Sequence, residues 1–199
     1  MATVNSLKFT DSTLNQRFPA LTTKDLHDYL IQGCGGPNLA ATYHLARVVA
    51  NTGIQADELE ELHLECIDPV RNRIEVPMHN GNHRVRYIPL RPKTFDSLMA
   101  LHGLNGASDF IFGDFPKHSI LRASSGLQSA FPHKKDRANL SNLRWVFAFM
   151  LLEAEVPEYL VDYCLGADQC CLHDDRHKMS PKVKCELLAR ELNRKVEEL

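Results

Sequence analysis

Between residues 72 and 90 the hydrophobic period of this chain changes. On either side, apolar side chains recur every three or four residues, the spacing of helices with one buried face. Over "NRIEVPM" and "HRVRYIPL" they alternate every second residue, the spacing of strands. The intervening "HNGN" contains Asn-Gly, whose tolerance of positive φ suits a tight hairpin turn, and Pro89 ends the second strand. A lone hairpin is marginal in water, so helices must cover its apolar face. The chain is therefore expected to be mainly α with a small antiparallel β-sheet, an α+β architecture.

The helices can be bounded from their caps. "LTTKDLHDYLIQGC" begins at Thr22 or Thr23, carries Leu26, Tyr29 and Leu30 on one face and ends near Gly33. "NLAATYHLARVVANTG" is apolar nearly all round, which predicts burial, and stops at Gly53. A short acidic helix follows, with Leu59, Leu62 and Leu64 inward. After the hairpin, "RPKTFDSLMALHGL" predicts a helix closed by Gly103, "SDFIFGDFP" a short strand or loop, residues 117–131 a helix, and "HKKDR" a basic loop. "NLSNLRWVFAFMLLEAE" and "VPEYLVDYCLG" are two further helices. "SPKVKCELLARELNRKVEEL" closes the chain as an amphipathic helix with Ser180 as N-cap. Its apolar positions, Val183, Leu187, Leu188, Leu192 and Val196, suit packing on the same domain or on a neighbouring protomer.

The chain's 199 residues suit one domain, spanning 21–199 and preceded by a polar, loosely ordered arm over 1–20. The longest apolar runs are too short to span a bilayer, and the N-terminus lacks the apolar core of a secretory signal. A cytoplasmic protein with six free thiols is expected. Net charge is −2, but it is unevenly spread. Residues 71–86 carry +3 and residues 117–144 carry +5, leaving −10 for the rest. That asymmetry predicts one basic face on an acidic body, suited to nucleic acid.

Four segments together resemble the catalytic domain of tyrosine recombinases, also called phage integrases. "TGIQADELEELHLECID" resembles the family box T-G-[LM]-R-x-x-E-L with the helix and "I-D" that follow it. "RYIPL" resembles the basic residue and "V-P-L" that end the family's hairpin. "SNLRWVFA" aligns with H-x-L-R-H-[TS]-F-A, and "YCLGA" stands where a helix ends in L-G-H. The resemblance runs from about Leu21 to about Lys178. It implies phosphoryl transfer from DNA to a tyrosine: two arginines clamp the phosphate, a hairpin lysine protonates the leaving oxygen, and histidine-type residues assist.

Carried over residue by residue, most of those parts are absent. The first clamp arginine is Gln55, and the hairpin lysine falls at Asn80 or Gly81. The two histidine positions are Ser141 and Ala167, and only the second arginine remains, as Arg144. The tyrosine should lie where Arg176 and His177 stand, and no tyrosine follows Tyr163. Several losses of this size, each costing roughly 10²–10³ in rate, imply a domain that binds double-stranded DNA without cutting it. No cofactor is expected. The residues expected to meet DNA are Arg71, Arg73, Arg84 and Arg86 on the hairpin, Lys134, Lys135 and Arg137 in the basic loop, and Arg144 at the old phosphate site. Arg84 and Arg86 share one strand face. Their alternative role is to guard an edge strand, and the domain's alternative role is a protein-interaction module. Glu58 is read as favouring its helix N-terminus, and Arg144 as either a phosphate contact or a paired core arginine. Cys170, Cys171, His173 and His177 include a His pair at helical spacing. They lack the paired CxxC of a structural zinc site, so no metal is expected.

Overall fold

A computed structural model of the chain describes residues 21–33, 39–77, 85–106, 108–166, 179–196 and 198–199, with the backbone alone for 135–137. The expected arm over 1–20 lies outside the described residues. Among the described residues, eight α-helices and three strands follow in the order α1 (Thr23–Gln32), α2 (Ala40–Thr52), α3 (Ala56–Glu60), β1 (Ile67–Asp68), β2 (Arg73–Pro77), β3 (Val85–Pro89), α4 (Pro92–Asn105), α5 (Pro116–Ala130), α6 (Leu140–Glu153), α7 (Glu158–Cys164) and α8 (Pro181–Lys195). Among the described residues, no helix is long and apolar enough to cross a membrane.

Local chemistry sets most of these boundaries. Thr22 and Asp25 form a reciprocal capping box at the start of α1, Thr22 Oγ1 accepting from Asp25 N–H (3.1 Å) and Asp25 Oδ2 from Thr22 N–H (2.8 Å). Asn139 and Ser180 cap α6 and α8 one way, accepting from the N–H of Asn142 and Val183. The tightest boundary is Gly53, which ends α2 in the left-handed region (φ 67°) and donates to Val49 O. A Cβ here would lie 2.9 Å from Phe147 Cδ1 of α6, so this turn needs glycine for both conformation and space.

The sheet is antiparallel in the order β1-β2-β3. Ile74 pairs with Ile88 and Val76 with Arg86, which places these four side chains on one face against the core. The tip between the strands, with Arg84, Asn80 and Gly81, lies outside the described residues. On the other side, α2 is the central helix of the larger core. There α5 approaches it closely: a Cβ on Gly126 would fall 2.0 Å from Thr42 Oγ1, whose hydroxyl donates to Ala123 O (2.8 Å). A second cluster joins the end of α6 to α7 and α8 through Phe147, Leu151, Leu160, Leu188 and Leu192.

Four expectations are adjusted or narrowed. α4 runs through Gly103 to Asn105 and ends at Gly106, because Gly103 faces open space and is tolerated in a helix. Of the strand and loop readings for "SDFIFGDFP", loop holds, with a single bridge from His63 to Phe110 and the two rings tilted at 36° with centroids 4.0 Å apart. The "HKKDR" segment belongs to a 3-10 turn, Pro132–Arg137, rather than to an irregular loop. Finally, α8 turns its apolar face to its own chain, where Cys185, Leu188 and Leu192 are buried beside β3 and α7. The residues after α8 are held in cis as well. Arg91 donates to Val196 O (2.7 Å), Asn51 Nδ2 to Leu199 O (3.3 Å), and Leu199 N–H to Asn51 Oδ1 (3.2 Å). Of the two readings of this face, packing on the same domain accounts for Cys185, Leu188 and Leu192, while Val183 stays exposed.

Gly53→Ala should combine a strained φ with a clash against Phe147 and cost about 1–3 kcal/mol. Urea denaturation of the variant against the parent chain measures the loss directly.

Candidate functional site

The turn that ends α2 delivers Ile54 into the core and leaves Gln55 as N-cap of α3, with an extended backbone (φ −81°, ψ 161°). Gln55 N–H donates to Glu58 Oε2 at 2.8 Å, so Glu58 does support the helix start, as its position suggests. Its larger role is across the core. Glu58 is only 3% exposed, and it receives both terminal nitrogens of Arg86: Nη2 on Oε2 at 2.7 Å and Nη1 on Oε1. This is a forked, charge-assisted pair of the kind only arginine makes.

Gly166, at the end of α7, packs on that pair. Its φ is +68°, and a Cβ would stand 3.1 Å from Arg86 Nη1 and 3.8 Å from Glu58 Oε1. Arg144 comes from α6. Its Nη2 donates to Leu165 O, and with the Gln55 amide oxygen turned toward it, Nη2 and Nη1 reach that oxygen at 3.1 and 3.2 Å. Burial lowers the Arg144 pKa from its ordinary value, with Glu58 opposing the shift and Arg86 adding to it. Gln55, Glu58, Arg86 and Arg144 thus form one continuous polar cluster.

Tyr163 is no free nucleophile. Its hydroxyl accepts from Tyr87 N–H (2.8 Å) and lies 3.0 Å from Tyr87 O and 2.9 Å from Pro181 O, both acceptors for its proton. Burial pushes its pKa well above the usual phenol range.

The expected DNA-contact residues divide sharply. Arg86 does not reach the surface: it is 0% exposed with both terminal nitrogens on Glu58, because it shares the core-facing phase of β3 with Ile88. Arg73 is largely buried, with Nε 3.3 Å from Asp68 Oδ2 and its guanidinium 4.4 Å from the Tyr87 ring centre. Arg71 is 66% exposed at its side chain and pairs with the same Asp68 at 3.0 Å. Hydrogen bonds from Arg71 hold the Asp68 carboxyl below its usual pKa. Lys134 reaches Asp25 at 2.5 Å, tying the 3-10 turn to α1. Arg84 and the side chains of Lys135 and Arg137 lie outside the described residues.

The helix between hairpin and 3-10 turn adds two cations. On α5, Lys117 and Arg122 are exposed, and the helix has no acidic residue of its own. The positive charge of residues 117–144 was legible in the sequence, but which of those cations face outward depends on how α5 lies on α2. Among the described residues, no group of three His, Cys, Asp or Glu side chains could hold a metal ion. Cys170, Cys171, His173 and His177 lie outside them.

No family model matches the chain, and no curated protein matches it. Solved structures do. XerA recombinase superposes with a TM-score of 0.62 at 18% identity, covering 88% of this chain and 64% of that one. An integrase from mycobacterium phage Brujita gives 0.62 at 16% identity, covering 88% and 57%. The Tn1549 transposon integrase, in complex with transposon right end DNA, gives 0.59 at 14% identity, covering 88% and 65%. The fold is that of the tyrosine recombinase catalytic domain. In each comparison this chain spans less than two thirds of the solved protein's length.

Within the recombinase fold, the two electrostatic ties lead to separate tests. Glu58→Ala strands a buried Arg86 charge and should cost about 3–5 kcal/mol, whereas Glu58→Ala/Arg86→Met should recover most of that loss. Urea denaturation of the two variants reads the difference. For Asp25, burial raises the pKa, but hydrogen bonds from Lys134 and Thr22 prevail and bring it to about 2, below the ordinary 3.8. A depressed folded-state pKa contributes stability above the unfolded value and loses it as pH falls. Thermal melts should therefore show a decline between pH 4 and 2, through the interval set by those two values, that is shallower in Asp25→Asn.

Proposed function

We propose that this chain binds double-stranded DNA through its basic side without cutting it, acting as a regulator or accessory factor in recombination, integration or transcription. The observation that carries this reading is a recombinase catalytic fold whose reacting parts are replaced or engaged elsewhere. Gln55 stands at the first clamp position, Arg144 is turned onto Leu165 O and Gln55, and the Tyr163 hydroxyl is bound to the backbone of β3. No tyrosine follows in the sequence. A neutral amide cannot replace a guanidinium against the charge of a phosphoryl-transfer transition state.

Binding needs less. Solved proteins with this fold include the Tn1549 integrase in complex with transposon right end DNA and XerH bound to its difH substrate. Among the described side chains, the cations proposed to meet phosphates are Arg71, Lys117, Arg122 and Lys134; Arg84, Lys135 and Arg137 join them on the strength of the sequence alone. Lys134 and Arg71 would exchange carboxylate partners for phosphates. Arg73, Arg86 and Arg144 would position the scaffold instead of touching the duplex.

Fluorescence anisotropy of a mixed-sequence duplex at several salt concentrations tests this. Micromolar binding should weaken steeply with salt, and Arg84→Glu/Arg122→Glu should abolish it. A nicked substrate should trap no covalent adduct. Absence of binding at low salt would favour the protein-interaction reading, for which the exposed Phe115 (73%) and Leu121 (57%) of the α5 region are the starting point.

A further inference from the structure

The fork of Arg144 already has an oxygen in front of it. Both terminal nitrogens converge on the amide oxygen of Gln55, at 3.1 and 3.2 Å, while Nη2 also donates to Leu165 O. Two N–H groups sharing one oxygen occupy the fork that would otherwise meet two oxygens of a carboxylate or phosphate. Here the oxygen belongs to a neutral side chain of the same molecule.

The neighbouring charges explain why a neutral acceptor suits this place. Arg86 and Glu58 cancel each other in a buried pair, and Arg144 is left with no carboxylate in hydrogen-bond contact among the described residues, although Asp57 lies near enough to favour its charge. An arginine at position 55 would add a further positive charge, with no carboxylate to meet it among the four residues of the cluster. Such a site would stay strained until an anion arrived. An amide at position 55 removes that need. It is also firmly placed, since Gln55 is the N-cap of α3 and its N–H is held by Glu58.

We propose that Gln55 is a built-in substitute for the phosphate: its amide oxygen fills the Arg144 fork and keeps the old clamp closed to external anions. This concerns the same site as the proposed function, but it does not depend on duplex binding. It assigns Gln55 a positioning role, and it places the DNA affinity of the chain outside the former catalytic centre.

The test uses inorganic phosphate as probe, with sodium chloride at matched ionic strength as the reference, and reads thermal unfolding of the full chain. The parent chain should show only the general rise that a kosmotropic anion gives, equal to that of Gln55→Ser/Arg144→Gln. Gln55→Ser shortens the side chain beyond reach of Arg144 while retaining a good N-cap. It should gain a phosphate-specific rise in melting temperature, corresponding to at least tenfold tighter phosphate binding, and Gln55→Ser/Arg144→Gln should lose that rise.

Phosphate stabilisation of the parent chain equal to that of Gln55→Ser would overturn the proposal, and so would a parent rise above that of Gln55→Ser/Arg144→Gln, even if Gln55→Ser fails to fold. A folded Gln55→Ser variant that gains nothing would overturn it too. Anisotropy keeps the two claims apart. A chain that ignores duplex DNA but shows this phosphate pattern refutes DNA binding alone, and a duplex binder whose parent form responds to phosphate beyond the general rise refutes the role of Gln55 alone.

Discussion

The ion pair between Glu58 and Arg86 is the interaction on which the arrangement of the other elements depends. It joins the first turn of α3 to β3 through the core, and Gly166 at the end of α7 packs directly on it. A buried carboxylate or guanidinium alone is costly, so neither partner can be lost by itself without destabilising the fold. The pair therefore fixes three segments that lie far apart in sequence. The Tyr163 hydroxyl adds a second tie one residue away, meeting the N–H and C=O of Tyr87 on β3. Since β3 is an outer strand of the sheet, that hydroxyl also satisfies backbone groups that an open edge would leave exposed.

The same constraint explains where the sequence was readable and where it was not. The periodicity located the helices and the hairpin because each depends on local residues: Thr22 and Ser180 at N-caps, Gly53 at a left-handed stop, alternation in β2 and β3. Arg86 misled because a basic residue in a hairpin resembles a surface charge. The correcting signal was present in the same strand. Ile88 lies two residues on and shares the phase of Arg86, and Ile74 and Val76 of β2 define that phase as the core side. An arginine in a core-facing phase requires an acidic partner. Glu58, three residues into the acidic helix, was the one supplied by the resembling motif.

The old phosphate site was less legible for a different reason. That Gln55 stands where the resembling family box has an arginine follows from aligning motifs, but its contact with Arg144 depends on how α6 is set against the turn after α2. Sequence spacing does not give that. Likewise, Arg71 and Lys134 read as free cations along the chain, and only the folded arrangement brings Asp68 and Asp25 to them. Charge counts located the basic side, whereas pairing decided which of its members are available.

Residues that hold the fold and residues that would perform chemistry have separated in this molecule. Gly53, Glu58, Arg86 and Gly166 are each required by packing or charge balance, whatever the site does. Gln55 and Arg144 are not bound by that requirement, since an amide and a guanidinium can satisfy one another. On the proposed reading, a clamp charge is given up at little cost to the scaffold, because the substitute is neutral and can accept from Arg144. An aliphatic residue at position 55 would leave the Arg144 fork short of an acceptor, and a carboxylate would stand close to Glu58. An amide avoids both costs, which gives a physical reason for finding glutamine at that turn.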